Sequence, residues 1–507
     1  MQTSSESRNQ QIARNSIFMS IRMIIVLILT LYTTRIVLSA LGVIDYGIYN
    51  VVCGFVAMFS FLNVSMSNGI QRFYNYELAS NGTSGAEKVF KTAILIQLFI
   101  AIIILILTET IGLYYLKHKM IIPLDRLDAA YWVFQLTVLS FVFIIFQAPL
   151  SAVVIAHEKM VVYATIGITD AVLKLLIANL LMITHGDRLI VYSGLLTCLS
   201  GITLIVYVVY CKIYFDEIQF KILLDKSLFK SMLSFSGWNF FGSLSNILKE
   251  QGINLVLNLF YGPIVNAARG ISYQVNSGLQ SFIGNICMTT RPQIIQSYAI
   301  GNINRVMNLT YSVSKFGSII LYMIALPLAY EIDWWLPVWI GSRIPENTKP
   351  FIIITFLIAF VNQLNAAISN VVHATGRMKL YQISTSLTAL SSIPLAYIAL
   401  NNGFSAVDSL WIVFGTLMIA QAVALYTLKR LVKYSFFDYL KFSIFPFAAV
   451  AITTIWIPYV FFIYMDESWL RFLLVVVFSE VSILVSTYFI ALNKHEKNAM
   501  LGILKHF

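Results

Sequence analysis

Residues 151–163 read Ser-Ala-Val-Val-Ile-Ala-His-Glu-Lys-Met-Val-Val-Tyr, and residues 369–381 read Ser-Asn-Val-Val-His-Ala-Thr-Gly-Arg-Met-Lys-Leu-Tyr. Ser151, Val153, Val154, Ala156, Met160 and Tyr163 recur as Ser369, Val371, Val372, Ala374, Met378 and Tyr381, and Lys159 recurs as the cation Arg377, all at one spacing. Nearly the same spacing carries Gly42 to Gly262, Arg72 to Arg291 and Gly82 to Gly301. A constant offset at separate places is the signature of an internal duplication.

The chain around these repeats is 59% hydrophobic and 11% charged over 507 residues, with a mean hydropathy of +0.80. That leaves too little polar side chain to cover a water-soluble surface, so the solvent is lipid. A bilayer core takes about 20 apolar residues per helix, and backbone in lipid must satisfy its own hydrogen bonds. We therefore expect an all-α polytopic membrane protein with about fourteen transmembrane helices. The spans are 17–41, 46–75, 88–116, 129–155, 160–184, 189–213, 230–259, 264–290, 305–330, 350–374, 378–400, 407–430, 437–464 and 469–492. The first is too long for a signal core and contains Arg22 and Arg35, so it is expected to stay in the mature chain. Cys53, Cys198, Cys211 and Cys287 have no metal or redox spacing and read as small buried hydrophobes.

The net charge of +11 is sorted by membrane side before it is given a meaning. With the N-terminus inside, one side gathers Arg8, Arg14, Lys88, Lys91, Lys159, the cluster from Lys212 to Lys230, Arg305, Arg377, Lys379, Lys429, Arg430, Lys433, Lys441 and the tail lysines, together with Arg72 and Arg291 at span ends. The other side holds Lys117, Lys119, Arg126, Arg188, Arg343, Lys349 and Arg471, so the ratio is about 21 to about 7. Both termini are thus expected in the cytoplasm, and the excess charge is topology, not a nucleic-acid surface. Six spans separate each repeated element from its copy, an even number, so the two six-helix repeats enter the membrane in parallel. We divide the chain into an N-terminal six-helix lobe at 1–215, a cytoplasmic interfacial linker at 216–229, a C-terminal six-helix lobe at 230–432, and two extra transmembrane helices with a cytoplasmic tail at 433–507.

Several chemistries are missing from the sequence. It contains no Gly-rich phosphate loop, no His-Glu-x-x-His, no nucleophile elbow and no Cys-x-x-Cys. ATP hydrolysis by this chain is excluded, and neither cofactor nor metal is implied. No motif specifies whether an H+ or Na+ gradient drives it. His118, His157, His185, His373, His495 and His506 are dispersed, most of them near membrane edges, and read as interfacial.

Ionisable residues inside spans are costly, and each is a functional hypothesis. Arg22, Arg35, Lys174, Lys249, Arg269 and Lys315 stand against Asp170 and Glu250, with Glu109 and Glu480 near span ends. Asp170 and Lys174 lie four apart on one helix face and read as an intramembrane ion pair. Lys249 and Glu250 are adjacent, about 100° apart on a helix, and are expected to serve different neighbours. The seventh span carries Asn246, Glu250, Asn254 and Asn258 as one polar stripe. The eighth carries Arg269, Ser272, Asn276, Gln280, Gly284, Cys287 and Arg291, in steps that keep one face. Such a face is either polar glue between helices or cavity lining, and an unpaired Arg at both ends favours lining. Arg offers phosphate a planar fork and stays charged, so this lining suits a ligand with several anionic oxygens. The matching first-half helix has Asn50 where the second has Arg269, which makes the lining asymmetric.

The chain resembles the polysaccharide flippases of the multidrug/oligosaccharidyl-lipid/polysaccharide (MOP) exporter superfamily. The resemblance rests on Arg35 and Leu41-Gly42-Val-Ile-Asp45-Tyr46-Gly47-Ile-Tyr49, on Gln71-Arg72-Phe73, and on Ala156-His-Glu-Lys159. In the second half it rests on Arg291-Pro292, on Trp335-Leu-Pro-Val-Trp339-Ile-Gly341, and on Ala374-Thr-Gly376-Arg377-Met-Lys379. It implies two six-helix lobes alternating around a cationic cavity. It also implies an undecaprenyl-pyrophosphate-linked oligosaccharide (O-antigen, capsule or exopolysaccharide repeat unit) as ligand, glycan-assembly enzymes and membrane lipids as partners, and the bacterial cytoplasmic membrane as location. Related peptidoglycan-precursor flippases carry cavity arginines on the first, second and eighth spans. Here Arg35 and Arg269 match that pattern, whereas Arg72 lies at the cytoplasmic end of its span. The relatives' two extra helices shape a groove for the lipid tail. Arg269, Arg35 and Arg291, with Asn276, Gln280, Lys249 and Glu250, are the expected substrate-binding residues. The alternatives are a cation-coupled multidrug antiporter, which calls for acidic cavity residues, and a membrane polysaccharide polymerase or ligase, which calls for a sizeable outward loop.

Overall fold

The computed structural model describes residues 2–219, 225–341, 343–493 and 496–497. The middle of the expected linker, 220–224, the tail histidines His495 and His506, and the side chains of Arg8 and Arg14 lie outside the described residues. Among the described residues there is no strand. In chain order the first eight helices are α1 Gln2–Ala57, α2 Ser60–Leu107, α3 Leu113–His118, α4 Leu127–Ala156, α5 Met160–Ile183, α6 Arg188–Tyr214, α7 Lys226–Tyr261 and α8 Pro263–Ala299. They are followed by α9 Ile303–Tyr330, α10 Ile332–Ile340, α11 Thr348–Thr375, α12 Met378–Leu390, α13 Ser392–Asn401 and α14 Ala406–Leu431. The chain ends in α15 Phe436–Tyr439, α16 Phe445–Thr454, α17 Trp456–Tyr464 and α18 Trp469–Ser486. Among the described residues, eleven helical segments are long and apolar enough to cross a membrane. The expected spans that fall short are 46–75, which breaks at Met58–Phe59, and the polar 230–259 and 264–290. This is an all-α, multi-pass membrane protein.

The duplication is written into the backbone. Gly42 (φ 79°) turns the chain inside α1 and Gly262 (φ 71°) turns it between α7 and α8; Gly82 (φ 64°) is matched by Gly301 (φ 75°). Glu158 (φ 56°) sits at the left-handed position that Gly376 (φ 69°) fills in the second copy. A side chain at such a φ is strained, which is why glycine holds most of these positions. Other helices start on side-chain caps: Asp225 accepts from Ser227 N and Leu228 N, and Ser468 accepts from Arg471 N. Asp187 caps α6 and also receives Arg126 (Nη1 to Oδ2, 2.6 Å), which grips Asp45 with its other edge (Nη2 to Oδ2, 2.6 Å). Burial pushes the Asp187 carboxyl up, but Arg126 and the Leu189 and Ile190 N–H groups outweigh it and hold the group below the usual carboxylate range.

Packing divides the chain elsewhere than the repeat does. One compact unit is Met1–Ile271 with Ser392–Ser409; the other is Ser272–Ser391 with Leu410–Phe507. The sequence cut at 216–229 separates α7 from the first six spans, yet α7 packs on α2 and α13 within the first unit. Glycines allow this close approach. A Cβ on Gly47 would strike the Pro263 carbonyl, one on Gly54 would lie 2.9 Å from Asn254 Nδ2, and one on Gly252 would lie 2.7 Å from Ile393 Cδ1. The first unit is cored by Ile48, Tyr74, Phe90, Phe134 and Val154. The linker's first residues belong to this unit: Glu217 is buried and accepts from Tyr74 Oη (2.9 Å), with His157 Nε2 at 2.7 Å and the His157 ring stacked on Phe215 at 4.2 Å. His157 is therefore part of a buried cluster and not a solitary interfacial residue. Of the four cysteines only Cys211 is buried; Cys198 is exposed on α6 among apolar neighbours.

In the second unit, the two C-terminal spans are fastened to α9. Arg471 is 4% exposed and Glu331 0%; Nη2 and Nε lie 2.8 and 3.2 Å from Oε2, and Nη1 donates to the Met465 carbonyl at 3.0 Å. Lys315 Nζ reaches Glu496 Oε2 (2.8 Å) and the Ala491 carbonyl (2.9 Å). Ile319 and Leu326 pack with Val450 and Ile483 between these ties.

Candidate functional site

The intramembrane charges of the first unit form two groups. In the first, Glu250 on α7 receives Arg269 of α8 (Nη2 to Oε2, 2.6 Å) and its own neighbour Lys249 (Nζ to Oε1, 3.3 Å). Lys249 is 4% exposed and Arg269 5%. The expectation that Lys249 and Glu250 serve different neighbours is corrected here, because a four-carbon stem can fold back across the 100° between adjacent helix positions. The expectation of an unpaired Arg269 is corrected too: a guanidinium this far from water takes a carboxylate partner. Two cations around one carboxylate leave the group at net +1.

The polar stripe of α7 continues from this group as a ladder of asparagines. Asn254 Nδ2 donates to the Asn50 carbonyl (3.3 Å), Asn266 Nδ2 to Asn254 Oδ1 (2.8 Å), and Asn258 Nδ2 to Asn266 Oδ1 (2.9 Å). Asn258 Oδ1 accepts from Ile121 N at 2.9 Å. Asn254, Asn258 and Asn266 are buried, so this half of the stripe is glue that fixes α1, α7 and α8 in one register.

The second group surrounds a cavity of about 310 Å³ inside the first unit, lined by Arg22 of α1, Gln147 of α4, Tyr163, Asp170 and Lys174 of α5, and Ser200 of α6. Lys174 Nζ lies 2.7 Å from Asp170 Oδ2. That pair cancels its own charge, so Arg22 sets the sign of the cavity. The Arg22 guanidinium lies over the Tyr163 ring at 4.4 Å, and its Nε is buried with no hydrogen-bond partner. Gly167 makes room for it; a Cβ there would lie 2.8 Å from Nη2. Sequence reading counted Arg22 among the in-span cations but not among the site residues, and the absence of a side chain at Gly167 was the available signal.

In the second unit, the rest of α8 shows where its polar face turns. Asn276 is buried and receives Gln280 Nε2 at 3.5 Å, while Asn370 Nδ2 donates to the Cys287 carbonyl at 3.2 Å. From Ser272 to Arg291 the exposed positions among the described side chains are Tyr273, Ser277, Gly284 and Arg291. At 100° per residue this face is centred about 60° from the stripe read off the sequence, sharing Gly284 and Arg291 with it. Its composition matters, since α6 exposes Ile202, Ile205, Val209 and Ile213, as a lipid-facing helix does, whereas this stretch of α8 exposes Ser277, Gly284 and a guanidinium beside Tyr273. Arg35 is exposed on α1 in line with Ile21, Ile24, Ile28 and Tyr32. Thus Lys249, Glu250 and Arg269 are brought together, as are Asp170 with Lys174 and Asn276 with Gln280.

No family model and no curated protein sequence matches the chain. Solved structures are similar over most of its length. The lipid II flippase MurJ in its inward-closed conformation shares 13% identity at a TM-score of 0.70, covering 93% of this chain and 98% of that one. An inward-facing multidrug resistance MATE family transporter of the MOP superfamily shares 14% identity at a TM-score of 0.65, covering 79% of this chain and 94% of that one. A MOP superfamily transporter from Pyrococcus furiosus, described as having a binding pocket of reversed polarity, shares 14% identity at a TM-score of 0.56, covering 82% of this chain and 95% of that one. What is shared at such identities is the fold: the chain has the architecture of that lipid II flippase and those transporters.

Proposed function

We propose that the protein is a flippase that carries an undecaprenyl-pyrophosphate-linked oligosaccharide, the repeat unit of an O-antigen, capsule or exopolysaccharide, across the bacterial cytoplasmic membrane by alternating access, with both termini cytoplasmic. The observation that carries this reading is the sign of the intramembrane charge. The Lys249–Glu250–Arg269 group and the Arg22 cavity each keep one net positive charge, and α8 exposes Arg291 on a polar face. A pyrophosphate is drawn to such a path and an organic cation is repelled by it. At 4 Å and an effective dielectric near 20, one unit charge pair is worth about 4 kcal/mol. In this reading Arg269, Arg35 and Arg291 attract the head group, Gln280 offers it a hydrogen bond, the buried Asn276 positions Gln280, Lys249 and Glu250 position Arg269, and Arg22 adds a cation with an unspent donor. The likeness to a lipid II flippase extends over 93% of the chain against 79% for the MATE transporter, a difference close to the length of the last two spans. This supports a lipid-linked substrate over a multidrug antiporter.

The test is surface glycan in a host deleted for this chain and complemented with each variant at matched membrane abundance. Arg269→Lys keeps the charge and is expected to retain part of the activity. Arg269→Ala is expected to lose at least about tenfold, which corresponds to 1.4 kcal/mol of head-group stabilisation. Arg269→Glu is expected to be worst. Full surface glycan from a folded Arg269→Glu protein would refute the anion-binding role.

A further inference from the structure

A cavity of about 720 Å³ in the second unit belongs to neither group of charges described above. It is lined by Asn304 and Asn308 from the first turns of α9, Lys429 from the last turn of α14, Lys433 and Tyr434 beyond it, and Asp438 of α15. Its level relative to the membrane follows from its place in the chain. One membrane-crossing segment ends at Leu431, the next begins at Phe436, and a third begins at Ile303, so the cavity lies where helices enter the bilayer. On the fourteen-span reading of the sequence, these ends follow an even number of spans, on the side to which the positive charge is biased.

We propose that this cavity is a binding site for the head group of an anionic phospholipid, specifically a glycerol phosphodiester carrying one negative charge. Two independent features point to a lipid. The inner wall is cationic and rich in hydrogen-bonding groups. Lys429 and Lys433 are opposed by Asp438 alone, a net +1 that one phosphodiester neutralises. The positive end of the 28-residue α9 also opens here, its Arg305 N–H capped by Asn302 Oδ1 and its Ile303 N–H bonded to the Gly301 carbonyl. The outer wall is aromatic: Phe442 stacks on Tyr311 (6.0 Å, 24°), has Lys441 Nζ 5.3 Å from its ring centroid, and is exposed together with Phe437 and Phe445. Phe442 lies in the π-helical turn Leu440–Ile444. A polar, cationic cup opening onto an exposed aromatic strip fits a charged head with an acyl chain attached. Asp438 sets the selectivity within this chemistry. It repels a second phosphate charge and accepts hydrogen bonds from head-group hydroxyls, which a glycerol head supplies. The inference does not depend on the flippase reading, only on the chain's being a membrane protein.

The experiment is native mass spectrometry of the purified full-length protein in non-ionic detergent, titrated with phosphatidylglycerol, with phosphatidylethanolamine, and with inorganic pyrophosphate as a soluble competitor. The native protein is expected to retain one phosphatidylglycerol in preference to phosphatidylethanolamine. Lys429→Gln with Lys433→Gln is expected to weaken that retention at least about tenfold, as loss of two charge-assisted contacts implies, with helical content and melting unchanged. Lys159→Gln with Lys212→Gln removes as much charge from exposed positions elsewhere and is expected to leave retention intact. Asp438→Asn is expected to let pyrophosphate compete where it does not in the native protein. The proposal is overturned by equal loss in both double variants, by equal retention of the two lipids, or by displacement of phosphatidylglycerol from the native protein by micromolar pyrophosphate.

Discussion

Carboxylates decide where the buried cations of this membrane protein act. Arg269 and Lys249 share Glu250, Arg471 takes Glu331, and Lys315 takes Glu496, each within 3.3 Å. Leaving one such charge unpartnered costs about 3–5 kcal/mol, while replacing both members by apolar residues is often neutral. For the most buried pair this gives a direct expectation. Arg471→Ala strands the Glu331 carboxylate and should lower unfolding stability in detergent by about that amount, whereas Arg471→Met combined with Glu331→Leu should come close to the parent. Thermal melting of the three proteins decides it; a double variant as unstable as the single one would mean that the pair's geometry, not its charge balance, holds α18 to α9. These pairings were only partly legible in the sequence. Glu250 and Arg269 were visible as in-span charges, and Asp170 with Lys174 as an i, i+4 pair, because helical periodicity relates positions within one helix. Partners far apart in the chain, such as His157 and Glu217 or Arg471 and Glu331, follow from tertiary packing, which no spacing encodes.

At the scale of one element, α8 shows the same limit as an error of phase. Its helical period and polarity are plain in the sequence, and the structure keeps both. What moves is the face: Arg269, Ser272 and Asn276 are buried, and Tyr273, Ser277, Gly284 and Arg291 are exposed. The shift arises because Glu250 and the asparagine ladder draw the first turns of α8 toward α7, and a helix that fixes one face has fixed the other. A thiol-accessibility scan separates wet from lipid-facing exposure. In a protein lacking Cys53, Cys198, Cys211 and Cys287, Ser277→Cys should react rapidly with a small charged thiol reagent, Asn276→Cys slowly, and Ile205→Cys, exposed on the apolar face of α6, scarcely at all, because the reagent reacts with a water-accessible thiolate. Equal rates at Ser277→Cys and Ile205→Cys would place the exposed face of α8 in lipid and remove it from any substrate path.

Over the whole molecule, the duplication was readable because it constrains the backbone. Gly42 and Gly262, and Gly82 and Gly301, are left-handed turns in both copies, and a left-handed turn strongly selects glycine. The packing boundary was not readable, since it depends on α7 approaching α1 and α2 through contacts that only small residues permit. The charge sorting and the fold together lead to one central claim, that the protein moves a lipid-linked pyrophosphate. Its most direct test is transbilayer movement in proteoliposomes loaded with the lipid-linked repeat unit that accumulates in cells deleted for this chain, read by the fraction of head groups open to an enzyme added outside. A rate at least about tenfold above protein-free liposomes, ΔΔG‡ near 1.4 kcal/mol or more, and lowered by Arg269→Ala, is the expected result. A rate equal to that of protein-free liposomes, from folded and inserted protein, would contradict it.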